Sequence, residues 1–139
     1  MGAATMIMAA AREPAIRAVV SDSGFAALVP LLQHDTQYPS IFIPSILSAV
    51  QFLYGINFYA ARPVDVVASI APRPIFFIQG TADTVVPPSN MNLLALAAKA
   101  APHAHIQTWL VKGAEHIQSY NVMGADYVNR VVDFFTNAL

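Results

Sequence analysis

The chain has 139 residues, the length of one ordinary domain, and its 56% hydrophobic against 11% charged content excludes a disordered polypeptide. A formal net charge of -1 without any Lys/Arg cluster lacks the footprint of a nucleic-acid or anionic-membrane binder, so small-molecule chemistry is the expectation. With no cysteine there is no disulfide framework, thiolate metal site or cysteine nucleophile, and localisation is left unconstrained, cytoplasmic by default.

Residues 1–11 are apolar but lack a basic n-region and run into Arg12-Glu13-Pro14, which does not read as a signal peptide. Gly2 to Arg12 is rich in Ala and Met and ends at Pro14, which predicts a helix whose small residues sit close to a sheet. Ile16 to Ser21 is a β-branched run closing on Asp22-Ser23-Gly24, the first predicted strand. Phe25 to Gln33 predicts a short helix, followed by a proline-interrupted apolar stretch that makes one or two more. Thr36 to Ala61 carries no charge and is long enough to span a bilayer, but Pro39, Pro44, Gln51, Gly55 and Asn57 argue against a membrane span.

Pro74 to Gln79 is nearly all apolar and closes on Gly80, the pattern of a strand buried on both faces of a parallel sheet. Pro87 to Ala101 predicts a crossover helix with Ser89 as N-cap and Pro102 beyond its end. His105 to Val111 is the third predicted strand. A final helix over 120–139 places Val128, Val131, Val132, Phe135 and Leu139 on one face. Strands alternating with helices and no hairpin turns give an α/β class, a parallel sheet flanked by helices. Ile16 to Ser21 would be an apolar edge strand, an invitation to self-association.

In parallel sheets functional groups collect on the loops after the strands. Asp83 follows the second predicted strand and His116 the third, so neighbouring strands bring both to one rim. A carboxylate on one imidazole nitrogen fixes the tautomer and leaves the other nitrogen to act as a general base toward a nucleophile. Taken singly, Asp83 is an ordinary turn residue and His116 a solvated one; their order and joint placement carry the argument. His34, His103 and His105 read as solvated, the His-x-His pair having no acidic or cysteine partner nearby. Glu115 receives no role. Phe42, Phe52, Tyr54, Phe58 and Tyr59 either line an acyl or aromatic substrate pocket or belong to the core.

Several stretches together resemble the α/β-hydrolase superfamily, in particular its prolyl-oligopeptidase-like and serine-aminopeptidase-like esterases and peptidases. They are Met1-Gly2-Ala3-Ala4, Ser21-Asp22-Ser23-Gly24-Phe25, Arg62-Pro63-Val64-Asp65, Ala71-Pro72-Arg73-Pro74-Ile75, Gly80-Thr81-Ala82-Asp83 with Val86-Pro87, and Gly113-Ala114-Glu115-His116. The resemblance covers essentially the whole chain, residues 1–139, as the C-terminal part of such a domain, with the last three strands of its sheet and a helical cap-like segment at about 26–62. It implies a Ser-Asp-His triad in which Asp83 is the acid and His116 the base. Asp22, at the end of the first strand, is the second candidate acid.

The same resemblance places the nucleophile one position before Met1, most simply a serine, with an aspartate as the alternative. It makes the backbone N–H of Met1 an oxyanion-hole donor in a full-length form. The expected reaction is hydrolysis of a carboxylic ester or small amide without a cofactor or metal, and the chain as given is expected to be inactive. The competing reading is a non-catalytic remnant or binding module of the same ancestry.

Overall fold

A computed structural model describes residues 1–35 and 39–138. Thr36, where the uncharged run begins, and Leu139, expected on the last helix, lie outside the described residues. The elements in chain order are α1 (Gly2–Arg12), β1 (Val19–Asp22), α2 (Leu28–Asp35), α3 (Ile43–Tyr54), α4 (Pro63–Val66), β2 (Ile75–Gly80), α5 (Ser89–Lys99), β3 (Ile106–Val111), α6 (Ser119–Met123) and α7 (Ala125–Ala138). The strands form one parallel sheet in the order β1-β2-β3, with Val19 opposite Ile75 and Ile75 opposite Ile106.

Every residue of β2 is buried, as its unbroken apolar run predicts. Successive side chains point to opposite faces, and both faces are covered. On one face Val19, Ile75 and Phe77 pack with Ile7 and Ala10 of α1, Met91, Leu94, Ala95 and Ala98 of α5, and Val67 and Ile70 after α4. The small side chains of α1 let that helix approach the sheet closely. On the other face Phe76, Ile78 and Val111 pack with Ala114 and Phe134 of α7. A third cluster joins Ala4 in the first turn of α1 to Phe25, Leu28 and Val86, with Phe58 packed against it.

The first strand is shorter and later than the run Ile16 to Ser21 predicts. Pro74 precedes β2, and the Val19 N–H donates to the Pro74 carbonyl at 3.0 Å, so pairing cannot start earlier than Val19. The preceding residues serve a different partner: Arg73 Nη1 donates to the carbonyls of Glu13 (3.0 Å) and Ile16 (2.8 Å). This guanidinium ties the α1 to β1 connection to the start of β2. The crossover helix is likewise trimmed to Ser89–Lys99, and Pro88, not Ser89, occupies its N-cap position without a side-chain cap.

The final helix differs most. Gly124, at φ 51 and ψ -119, breaks it into α6 and α7. Within α7 the face on the sheet runs through positions 127, 131, 134 and 135, and Val128 and Val132 stand one residue, about 100°, further round the helix, so both, expected inside, are exposed. Val131 and Phe135 pack on the sheet as expected, joined by Tyr127 and Phe134. Phe134 meets the Phe76 ring at 5.5 Å, and Arg130 lies over Trp109 at 4.4 Å.

Among the described residues no helix is long and apolar enough to cross a membrane. The uncharged segment forms α3, which starts at Ile43-Pro44, where proline costs no helical hydrogen bond, and ends at Gly55 in a left-handed conformation. Phe52, Tyr54, Phe42 and Tyr59 are exposed and so are not core residues; Phe58 is half-buried against the third cluster.

Candidate functional site

Asp83 follows β2 through a turn in which its N–H donates to the Gly80 carbonyl. His116 follows β3 through the loop 112–116, which lies across that turn. The Ala82 N–H donates to the Ala114 carbonyl (3.0 Å), the Thr81 N–H to the Val111 carbonyl (2.9 Å) and the Gly113 N–H to Thr81 Oγ1 (2.9 Å). The approach is so close that a Cβ on Gly80 would stand 2.1 Å from the Ala114 oxygen, which is why the residue here must be glycine.

This seam brings His116 Nδ1 to 2.9 Å from Asp83 Oδ2. The Asp83 side chain is fully buried, while the His116 side chain is 28% exposed. Buried carboxylates need partners for all their lone pairs, and Asp83 has them. Oδ2 also accepts from Gln79 Nε2 (2.7 Å), and Oδ1 accepts from the backbone N–H groups of Val85 (3.1 Å) and Val86 (2.8 Å). Gln79 in turn donates to the Val86 carbonyl at 2.9 Å, so its amide is oriented by two acceptors. A carboxylate held on several sides is unable to swing away from the imidazole. An Asp-His pair so arranged is able to fix the Nδ1–H tautomer and accept a proton at Nε2.

Asp22 is engaged elsewhere. Its Oδ1 accepts from the hydroxyls of Ser23 and Ser119, each at 3.1 Å. Burial, then the Asp22 charge and a hydrogen bond to Asp22, push the Tyr127 hydroxyl up to about 12. The start of α1 lies at the same rim as the pair. Ala4 shares a cluster with Phe25 and Val86, and the Val86 N–H is one of the donors to Asp83. His103 and His105 are exposed, and no group of three or more His, Cys, Asp or Glu among the described residues is placed to hold a metal. Two concavities, of about 430 Å³ between β3 and α7 and about 360 Å³ beside Arg62 and Asn90, include neither Asp83 nor His116.

Comparison with known proteins gives the fold its relatives. No protein-family model matches the chain, and no curated protein sequence does. Solved structures do. An esterase of Pyrococcus furiosus superposes with a TM-score of 0.72 at 22% identity over 98% of this chain and 50% of its own. A puromycin-hydrolysing peptidase of Mycobacterium tuberculosis gives 0.74 at 19% identity, over 99% of this chain and 21% of its own. The acylaminoacyl peptidase of Pyrococcus horikoshii gives 0.78 at 13% identity, over 99% and 22%. The chain has the α/β-hydrolase fold. It spans half or less of the length of these relatives, aligned from end to end.

Within this α/β-hydrolase fold, sequence reasoning brought Asp83 and His116 to one rim but passed over Gln79, Ser23 and Ser119. Gln79 had a signal: a carboxamide at the end of an otherwise apolar, buried strand has to satisfy its polar atoms locally. Ser23 and Ser119 had none, because their shared partner Asp22 joins positions 97 residues apart.

Proposed function

We propose that this chain carries the acid, Asp83, and the base, His116, of a Ser-Asp-His triad that hydrolyses carboxylic esters or small amides. The observation behind the reading is the 2.9 Å contact of His116 Nδ1 with the buried Asp83 carboxylate at the carboxyl ends of adjacent parallel strands. Placement of the α1 N-terminus at the same rim supports a serine immediately before Met1 as nucleophile, with the Met1 N–H as an oxyanion donor in the longer polypeptide. That the superposed structures are an esterase and two peptidases favours the same chemistry. Residues 1–139 then form the C-terminal part of one hydrolase domain, with a helical cap-like segment at about 26–62. The partner is a small-molecule ester or amide; no nucleic acid is involved.

The chemistry needs all the parts. Asp83 holds the imidazole and stabilises the imidazolium, His116 takes the nucleophile's proton and returns it to the leaving group, and the oxyanion donors carry the tetrahedral intermediate. The deciding experiment reads the coding sequence ahead of Met1 and expresses the extended protein. An in-frame Gly-x-Ser with ester hydrolysis that falls by about 10⁴-fold in Asp83→Asn supports the proposal. Full activity of His116→Ala would refute it. The 139-residue chain alone should self-associate through the open β1 edge, which sedimentation at several concentrations will show.

A further inference from the structure

His116 is held on one side by the Asp83 seam, and what holds its other side is a separate structure. The residue after it, Ile117, has φ 55. That left-handed conformation is costly for a β-branched side chain. The Ile117 side chain is 66% exposed, so its own burial does not compensate. The compensation has to come from the backbone and from what it bonds. The Ile117 N–H donates to Ser23 Oγ at 3.2 Å, across 94 residues of sequence, and Ser23 itself sits at φ 55. Two residues further on, Ser119 Oγ donates to Asp22 Oδ1 at 3.1 Å. Ser23 and Ser119 are both buried, so each bond has one partner shielded from competing water.

The direction of each bond is determined by the chemistry of the groups. A hydroxyl has one proton and two lone pairs. Ser23 gives its proton to Asp22 Oδ1 at 3.1 Å, which turns a lone pair toward the Ile117 N–H. Asp22 therefore orients Ser23 and anchors Ser119 at the same oxygen. We propose that Ser23, Ser119 and Asp22 are positioning residues for His116: they clamp the strained loop after it to the end of β1 and so aim Nδ1 at Asp83. None of them touches the reacting atoms. Asp22 on this account supports the base and is not a second acid. The inference rests on the Asp83–His116 reading, and its test separates the two.

The test follows the His116 side-chain Nδ1–H resonance and backbone amide exchange in the extended protein that the coding sequence gives, in wild type, Ser23→Ala, Ser119→Ala and Ser119→Thr. In the wild type a slowly exchanging His116 Nδ1–H that disappears in Asp83→Ala is the expected result; its absence from the wild type overturns the pair and the clamp together. With that signal present, Ser23→Ala and Ser119→Ala should broaden or abolish it. They should also speed exchange of the Ile117 amide about tenfold, one net hydrogen bond of about 1.4 kcal/mol, and leave α7 amides unchanged. Ser119→Thr, which keeps the hydroxyl, should behave as wild type. Retention of the wild-type Nδ1–H signal in Ser23→Ala overturns the clamp alone, as does equal acceleration of every amide.

Discussion

The rim after β1, β2 and β3 and the helix α3 are made of the same apolar-rich sequence and solve opposite problems. At the rim both Asp83 oxygens, the Gln79 amide nitrogen and the hydroxyls of Ser23 and Ser119 are cross-bonded, while Gln79 Oε1 and Ser21 Oγ are buried without a partner. Along α3, Ile43 and Leu47 are buried, one turn apart, while Ile46, Phe52, Leu53 and Tyr54 are exposed. The rim is over-determined and therefore suited to hold a geometry. The helix is tethered by a narrow stripe, so little of the fold's stability is invested in it.

That contrast is open to direct attack, beginning with the seam. Gly80→Ala would force a Cβ to within 2.7 Å of the Ala114 carbonyl carbon, with backbone on both sides unable to yield. A loss of about 3 kcal/mol is expected by urea unfolding, and a variant as stable as wild type would mean that the loop does not lie on β2. Asp83→Ala should rank next, at about 2–3 kcal/mol, because it strands the Val85 and Val86 N–H groups without acceptors and takes one of two acceptors from Gln79 Nε2. Asp83→Asn should cost less, since one oxygen survives to accept.

Tyr127 supplies a pH test of the same rim. Its ionisation is pushed up to about 12 from an ordinary 10.0, first by burial and then by Asp22. A raised folded value for an acid means that the native state keeps the proton longer than the unfolded chain. The contribution is therefore fully present below about 10 and lost as pH rises from about 10 to about 12. Wild type and Tyr127→Phe should converge or cross in stability over that window, and parallel curves would show that burial and Asp22 together do not hold the phenol protonated. The smallest change is expected on α3. Leu53→Gln, at a position 68% exposed, should shift unfolding by less than about 0.5 kcal/mol. A loss of several times that would show α3 to be packed in solution.

Much of this molecule was legible in its sequence because the relevant signals are local. The unbroken apolar run of β2 specified a strand covered on both faces, the Ala-rich α1 specified a closely packed helix, and strand-helix alternation specified a parallel sheet. Asp83 and His116 were placed at one rim by the same rule, since both follow adjacent strands. Tertiary structure decided what depends on register. Pro74 and Arg73 set where β1 begins, Gly124 split the last helix in two, and Ser23 met Ile117 only because β1 and the loop after β3 end at the same level. Periodicity and propensity act over a few residues and are written in the chain; a hydrogen bond across 94 residues exists only once the strands are stacked in one register.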